Sequence, residues 1–427
     1  MDARLTDEQR MLRDLAGHLA ADLAPSGVAA LTPDARAAAD PAGWAALAEA
    51  GLIAPHAQPD GGGSVMDAAL VAERLAGSLV GLPYVGTALW APTLLAAAGA
   101  RDVLDAVASG SLRLAPVLRP DLGGLAQHGE RGIAFDAQGA DAGLVLDAGR
   151  LRVVALAGPA PAADLTRSLR QVSAAAASAG EPGPHGASDA QSVALDSGTG
   201  IGAGAGVEVE VGDLGGILSA EALARAEAVI LAVLAADLLG VMQTALDDAV
   251  AHVGVRRQFG VPIGSFQAVQ HLAAQAAMLV EGARSSTWHA AWAAGALPAA
   301  DALLAARQAK AYCASAAREV GETAIQLLGG IGLTHEHLAH VRLRRILLSR
   351  AVLGDETAQY AAIADTRLAP DAPVSDAPTS DAPMPGSTLP AATAPDVTRS
   401  VSGGSRPLPD GPPTAADHTP LAPAGNH

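Results

Sequence analysis

Arg256-Arg257-Gln258-Phe259-Gly260-Val261-Pro262-Ile263-Gly264-Ser265-Phe266-Gln267 joins two long apolar stretches whose hydrophobic residues recur at helical spacing. Read alone, the passage is a basic helix C-terminus, its Arg pair complementing the helix dipole, then a turn and a Ser-capped helix. Two of the chain's three Phe fall inside these twelve residues. Around it the helical period runs through segments near 219–255, 265–295, 299–328 and 335–365, with Gly329-Gly330 placed as a helix-ending glycine pair. Short connections between long amphipathic segments predict an antiparallel four-helix bundle over residues 214–366.

Toward the N-terminus, Thr6-Asp7-Glu8-Gln9 is a capping box followed by Leu12, Leu15, Leu19 and Leu23. Further short helices are expected at Trp44–Ala50, Met66–Val80, Thr87–Ala98 and Arg101–Ala108, making residues 1–110 a helical domain. From Ser111 to Asp213 short apolar runs replace the helical period: Leu112–Leu118, Gly143–Leu146, Leu151–Leu156 and Val207–Val211 are expected as strands of a reduced β domain. Residues 158–206 are rich in Ala, Gly, Ser and Pro and are expected as an unpacked low-complexity insertion. Beyond Thr366 the chain turns to Asp-Ala-Pro repeats, with 13 of its 28 Pro between Pro370 and Pro423, and residues 367–427 are expected to be a disordered tail. The fold class expected is mainly α.

Composition agrees with that class. The 427 residues hold four Trp, three Tyr and three Phe, so the core must be built from Ala, Leu and Val, which suits close helix packing better than a β-sandwich. A formal charge of -17 opposes nucleic acid and anionic membrane as partners. The single cysteine, Cys313, excludes an intramolecular disulfide and a Cys-built zinc cage, which fits a reducing cytosol. The opening residues show no secretory signal pattern. The apolar run Ala228–Ala236 between Glu227 and Asp237 falls short of the ~20 residues of a membrane span. Basic charge comes almost wholly from Arg, with a single Lys at Lys310, and this preference for Arg reads as codon bias.

A second patterned passage is Ile325-Gln326-Leu327-Leu328-Gly329-Gly330-Ile331-Gly332-Leu333-Thr334-His335-Glu336-His337. Together with Arg256, Phe259-Gly260, Pro262-Ile263, Phe266-Gln267 and the downstream His271, it resembles the FAD-binding signatures of acyl-CoA dehydrogenases, in the family's order and spacing. The succession of helical domain, β region and helical bundle matches too, over about residues 1–365 and most strongly from 219 on. The resemblance implies FAD lying across a subunit interface, its ring held by one protomer and its ADP half by the neighbour. Carried onto this sequence, Arg256 would pair with the pyrophosphate through fixed, charge-assisted donors. Gln258, Phe259 and Gln267 would flank the cofactor, and Gln326, Gly329 and Gly330 would let the backbone approach the adenosine closely.

The activity implied is α,β-dehydrogenation of an acyl-CoA: a carboxylate removes the α-proton while hydride leaves the β-carbon for flavin, giving a trans-2-enoyl-CoA, with electron-transferring flavoprotein as the acceptor. The base depends on hydrogen bonds to the thioester oxygen and on desolvation. Here the sequence departs from the family. The usual Glu-Gly position holds Leu353-Gly354, and the other family position, on the first bundle helix, holds Ile230. Asp355, Glu356 and Glu227 stand nearby as the candidate bases, whereas Asp237 and Glu336 are expected in structural contacts or caps. The family's Thr-Glu-Pro-Gly turn is replaced by Pro116-Val117-Leu118-Arg119-Pro120-Asp121, and residues 111–213 contain one aromatic ring, Phe135. His335, His337 and His340 are not expected to bind metal. The resemblance thus implies an oxidoreductase subunit, homo- or hetero-oligomeric, that donates the ADP half-site to another acyl-CoA dehydrogenase subunit; such pairs are associated with bulky acyl chains, steroid side chains included. The alternative is an inactive assembly protein of the same fold.

Overall fold

The computed structural model describes residues 4–57, 63–172 and 213–368. Within them α1 (Asp7–Asp22) opens on the capping box: Gln9 N–H donates to Thr6 Oγ1 at 3.1 Å and Thr6 N–H to Gln9 Oε1 at 3.1 Å. The next helix, α2, spans Pro33–Glu49 and starts well before the expected Trp44. Its signal was present in Thr32-Pro33-Asp34, a capping Thr followed by Pro at the first helical position. The third, α3 (Val65–Gly77), has its own capping box in Ser64 and Asp67. A buried π-helical turn, Tyr84–Trp90, then runs into α4 (Ala91–Ala98), so the helix expected from Thr87 is two kinds of helix in succession. Arg101–Ala108 forms α5 as expected.

The middle region carries more sheet than its sequence suggested. Seven strands, β1 (Leu114–Leu118), β2 (Ile133–Ala134), β3 (Ala142–Asp147), β4 (Arg150–Val154), β5 (Leu156–Ala160), β6 (Leu169–Val172) and β7 (Asp213–Leu214), form one sheet in the order β5-β6-β2-β1-β3-β4-β7. Only β1 and β3 run parallel; the other neighbours are antiparallel. Asp147 pairs with Arg150 across Ala148-Gly149, whose φ values of 47° and 82° suit a two-residue hairpin turn. Both β5 and β6 reach into the stretch expected to be an unpacked insertion. A strand can form there because its backbone pairs with neighbours even where the side chains show no alternation. The expected strand Val207–Val211, the rest of the insertion from 173 and the tail from 369 lie outside the described residues.

The C-terminal bundle consists of α6 (Ala220–Val255), α7 (Gln267–Ala296), α8 (Ala299–Leu328), α9 (Ala339–Ala351) and α10 (Glu356–Leu368). The fourth expected segment is therefore broken at Val352–Asp355, where Leu353 and Gly354 take φ of 58° and 92°. Ser219 caps α6, its Oγ accepting from Ala222 N–H at 3.1 Å. An 18-residue window of α6 has mean hydropathy 2.1, and the whole helix is long and apolar enough to cross a membrane, but 89% of that window is buried inside the fold. The sequence reading of a nine-residue run understated it, since Leu238, Leu239, Val241 and Met242 continue the apolar surface past Asp237.

One cluster of buried side chains runs from α1 through α3, the sheet and α6 to α9. Small residues let the helices approach: a Cβ on Gly240 of α6 would collide with the carbonyl of Glu73 on α3, and one on Gly77 would lie 2.7 Å from Thr244 Oγ1. An Ala-, Leu- and Val-built core of close-packed helices is what the scarcity of rings predicted.

Candidate functional site

The twelve-residue passage folds as a hairpin at the end of the bundle. Arg256 ends α6 in extended conformation, β8 (Arg257–Gln258) pairs with β9 (Val261–Pro262), and Phe259-Gly260 make the turn with φ of 51° and 80°. Phe259 is a non-glycine residue in the left-handed region, 93% exposed, with its ring edge-on to Phe266 at 6.3 Å between centroids. Arg257 Nη1 donates to Gly260 O at 3.2 Å and is occupied by its own turn. Ser265 does not cap α7: its Oγ donates to Pro262 O at 2.6 Å, and the cap position is Phe266, with no side-chain bond. Gln270 Nε2 donates to Gly264 O at 3.1 Å and ties the first turn of α7 back to the hairpin.

The second passage ends α8. Gly329 takes φ 64° and its N–H reaches back to the carbonyls of Gln326 and Ile325, so a β-carbon there would be strained. A Cβ built on Gly330 meets nothing within 4 Å, which means open space beside the backbone. The two passages meet in one cleft of 650 Å³, with Arg256 and Gln258 on one side and Gln326, Gly329 and Gly330 on the other. His252, Ile263 and Leu272 complete the wall. Phe259 and Gln267 are exposed but do not line the cleft, and His271 is exposed beside it in α7. Among the described residues the exposed Arg256 guanidinium has no hydrogen bond or ion pair. A free cation above an open glycine pair fits a phosphate-bearing group, which would supply the acceptors the guanidinium lacks.

The histidines after this passage have other duties. His337 Nδ1 accepts from Ala339 N–H at 3.1 Å at the start of α9, and burial followed by the nearby Arg342 lowers its pKa. His340 donates through Nε2 to His335 O at 3.1 Å.

None of the candidate bases reaches the cleft. Glu356 receives Arg350 Nη2 at 2.6 Å and Nε at 2.7 Å, and this pairing holds its carboxyl below the usual range. Asp355 meets the same Arg350 at 3.3 Å and caps α10 through Ala358 N–H at 3.1 Å. Glu227 is paired with Arg307 at 3.1 Å. At the two positions where the sequence resemblance looked for a base, Ile230 is fully buried and Leu353 N–H donates to Leu122 O at 2.8 Å, fastening the α9–α10 break to the loop after β1. Lys310 sits beneath that break, wholly buried, donating to Arg350 O at 2.8 Å and Gly354 O at 2.9 Å. Burial lowers its pKa to about 7. The lone Lys thus has a structural task.

Sequence reasoning missed a buried charge network. Arg167 pairs with Asp136 at 3.0 Å and Asp237 at 2.9 Å, and Arg345 pairs with Asp237 at 2.6 Å. Ser349 Oγ donates to Asp237 Oδ2 at 2.7 Å, and Gly86 N–H to Asp136 Oδ2 at 3.0 Å. The π-helical turn, the sheet, α6 and α9 are joined at this point. The members lie far apart in the chain, so no local pattern could have found them, although Asp237 was expected in a structural contact.

A family model for the acyl-CoA dehydrogenase C-terminal domain matches residues 232–368. The acyl-CoA dehydrogenase IpdE2 of Mycobacterium tuberculosis (strain ATCC 25618 / H37Rv) is 30% identical over 344 residues, which are 79% of this chain and 91% of that protein. Acyl-CoA dehydrogenase FadE34 of the same organism is 46% identical over 121 residues, 28% of this chain and only 17% of FadE34's length. Among solved structures, the ChsE4-ChsE5 complex from Mycobacterium tuberculosis shares the fold, with a TM-score of 0.59 and 21% identity over 85% of this chain and 98% of that one.

Proposed function

The chain belongs to the acyl-CoA dehydrogenase family, and on that premise we propose that it is a subunit of an FAD-dependent acyl-CoA dehydrogenase that donates the ADP-facing half of a cofactor site completed by a different subunit. The observation that carries this reading is the cleft in which Arg256 and Gln258 meet Gln326, Gly329 and Gly330, with the Arg256 guanidinium unpaired. There Arg256 binds the pyrophosphate and the glycine pair admits the adenosine. Phe259, exposed at the tip of its turn, and Gln267 lie outside the cleft wall and would contact the cofactor only from the rim.

Held by Arg256 and the Gln326–Gly330 segment, FAD would supply a hydride acceptor for the acyl β-carbon. The α-proton goes to a carboxylate of the partner subunit, because this chain's nearby carboxylates, Asp355, Glu356 and Glu227, are held by Arg350 and Arg307. Leu353 and Ile230 offer no proton acceptor. Substrate would be a bulky acyl-CoA, and electron-transferring flavoprotein the acceptor, in the cytoplasm. One solved structure of this fold is itself a complex of two named chains, ChsE4 and ChsE5, which supports a heteromeric assembly.

The test is to express the chain alone and with candidate partner chains and to measure bound flavin by absorbance and turnover of an acyl-CoA. Flavin and activity that arise only on co-expression are expected. Stoichiometric FAD with turnover in the homomer would overturn the partner-subunit reading, and absence of flavin in every pairing would favour a pure assembly role.

A further inference from the structure

A second cavity, of 810 Å³, lies between the later half of α4, the first turns of α6 and the corner Ala294–Pro298 that joins α7 to α8. It shares no residue with the motif cleft. Its size falls in the range of small-molecule sites, roughly 300–1,000 Å³. The wall is chiefly alanine methyls with Val65, Val229 and Leu297, and only His56, Thr93 and Arg225 bring polar side chains to it.

The polar groups fix one another's roles. Thr93 Oγ1 donates to Leu89 O at 2.6 Å, so at its 2.8 Å contact with His56 Nε2 the hydroxyl oxygen accepts. The ring proton is therefore on Nε2, and Nδ1 is a bare acceptor, buried and without a partner. Burial lowers the His56 pKa to about 4, which keeps the ring neutral near pH 7. Among the described residues Arg225 is then the one charge on the wall. Its Nη1 donates to Ala294 O at 2.7 Å and its Nη2 to Leu297 O at 2.9 Å; among the described residues it meets no carboxylate. The guanidinium is held in place by the end of α7, and its remaining donors have no anion to serve.

From this wall we infer that the cavity binds an apolar molecule ending in a carboxylate, the anion on Arg225 and the hydrocarbon along the alanine surface. A single fixed guanidinium matches a monoanion in charge and in its paired oxygens. A dianion would leave one charge uncompensated against an apolar wall in a protein that already carries -17. The inference does not depend on flavin, so it can fail while the proposed function stands, and the reverse.

The experiment titrates the full-length chain with carboxyl-¹³C dodecanoate and follows the carboxyl resonance, alongside dodecyltrimethylammonium of equal chain length. Saturable one-to-one binding of dodecanoate is expected, with no saturable binding of the ammonium compound. Arg225→Gln should weaken dodecanoate at least tenfold. Ala97→Trp, which places a large ring in the cavity from the exposed face of α4, should abolish binding at unchanged Tm and far-UV circular dichroism. Since Arg225 also ties down α7, the Ala97→Trp protein decides the matter if Arg225→Gln fails to fold. No saturable binding by the parent chain, equal binding of the ammonium compound, or full binding by a folded Arg225→Gln or Ala97→Trp protein would each overturn the inference.

Discussion

Asp237 in the middle of α6 and Arg167 in the loop before β6 meet at 2.9 Å with both side chains 1% exposed, so a bundle helix and the β region are joined by a charge pair that water does not reach. Burial alone would raise the Asp237 pKa, but Arg167 and Arg345 outweigh it and lower the value to about 2. Asp237→Asn takes from Arg345 its carboxylate partner and leaves Arg167 with Asp136, and is expected to destabilise the fold by about 3–5 kcal/mol in urea unfolding. The carboxylate's contribution is complete above its unfolded pKa near 4 and disappears as pH falls through about 2. The Asn protein should therefore lose the part of the acid transition that lies in that window. An unchanged acid profile would count against this assignment.

Lys310 gives a pH dependence of the same sign at higher pH, as a penalty relieved and not as a stabilisation gained. With its folded pKa lowered from 10.5 to about 7, the unfolded chain binds the extra proton between those values, so stability rises with pH across that window. Below about 7 the charged amine is buried and the full penalty applies. Lys310→Met should flatten the rise in Tm between pH 7 and 10. It also leaves the carbonyls of Arg350 and Gly354 without their donor, at a cost of about 1–3 kcal/mol per unsatisfied group.

Arg256→Ala should act on cofactor retention and not on folding. Among the described residues its exposed guanidinium has no partner, so Tm should stay within a degree of the parent. Loss of one charged hydrogen bond predicts flavin affinity of the assembled complex weaker by roughly 1.5–3 kcal/mol, read by equilibrium dialysis of FAD. Flavin retained at full affinity in every assembly would remove the main residue-level claim about the cleft.

Gly240→Ala tests the closeness of α3 and α6. The new methyl would strike the Glu73 carbonyl, which is backbone and cannot swing aside. Overpacking of this kind costs about 1–3 kcal/mol, and the variant should unfold at lower urea with its m-value unchanged.

The parts that sequence disclosed are those with a local signature. Helices α1 and α8 announce themselves through the Thr6 box and the Gly329 stop, and the two patterned passages are contiguous strings. What stayed hidden was non-local. Two-residue strands such as Ile133–Ala134 and Asp213–Leu214 are too short to show alternation, and their pairing depends on backbone from elsewhere. The break at Leu353 is fixed by a carbonyl on Leu122, far back in the chain. Meeting of Arg256 with Gly330 in one cleft required the packing of α6 against α8, which periodicity predicts in kind but not in register. The resemblance had supplied the roles of these residues; it could not say that Phe259 and Gln267 stand outside the wall.

The crossing at Gly240 also fixes a dimension. From there α6 runs unbroken to Arg256, about 24 Å at 1.5 Å per residue. A continuous helix is stiff in compression, so a slip of α6 against α3 would arrive almost undiminished at the guanidinium. The interlocked glycine acts as the datum from which the far end of the rod is measured, and the position of Arg256 is set deep in the interior, at a residue with no side chain of its own.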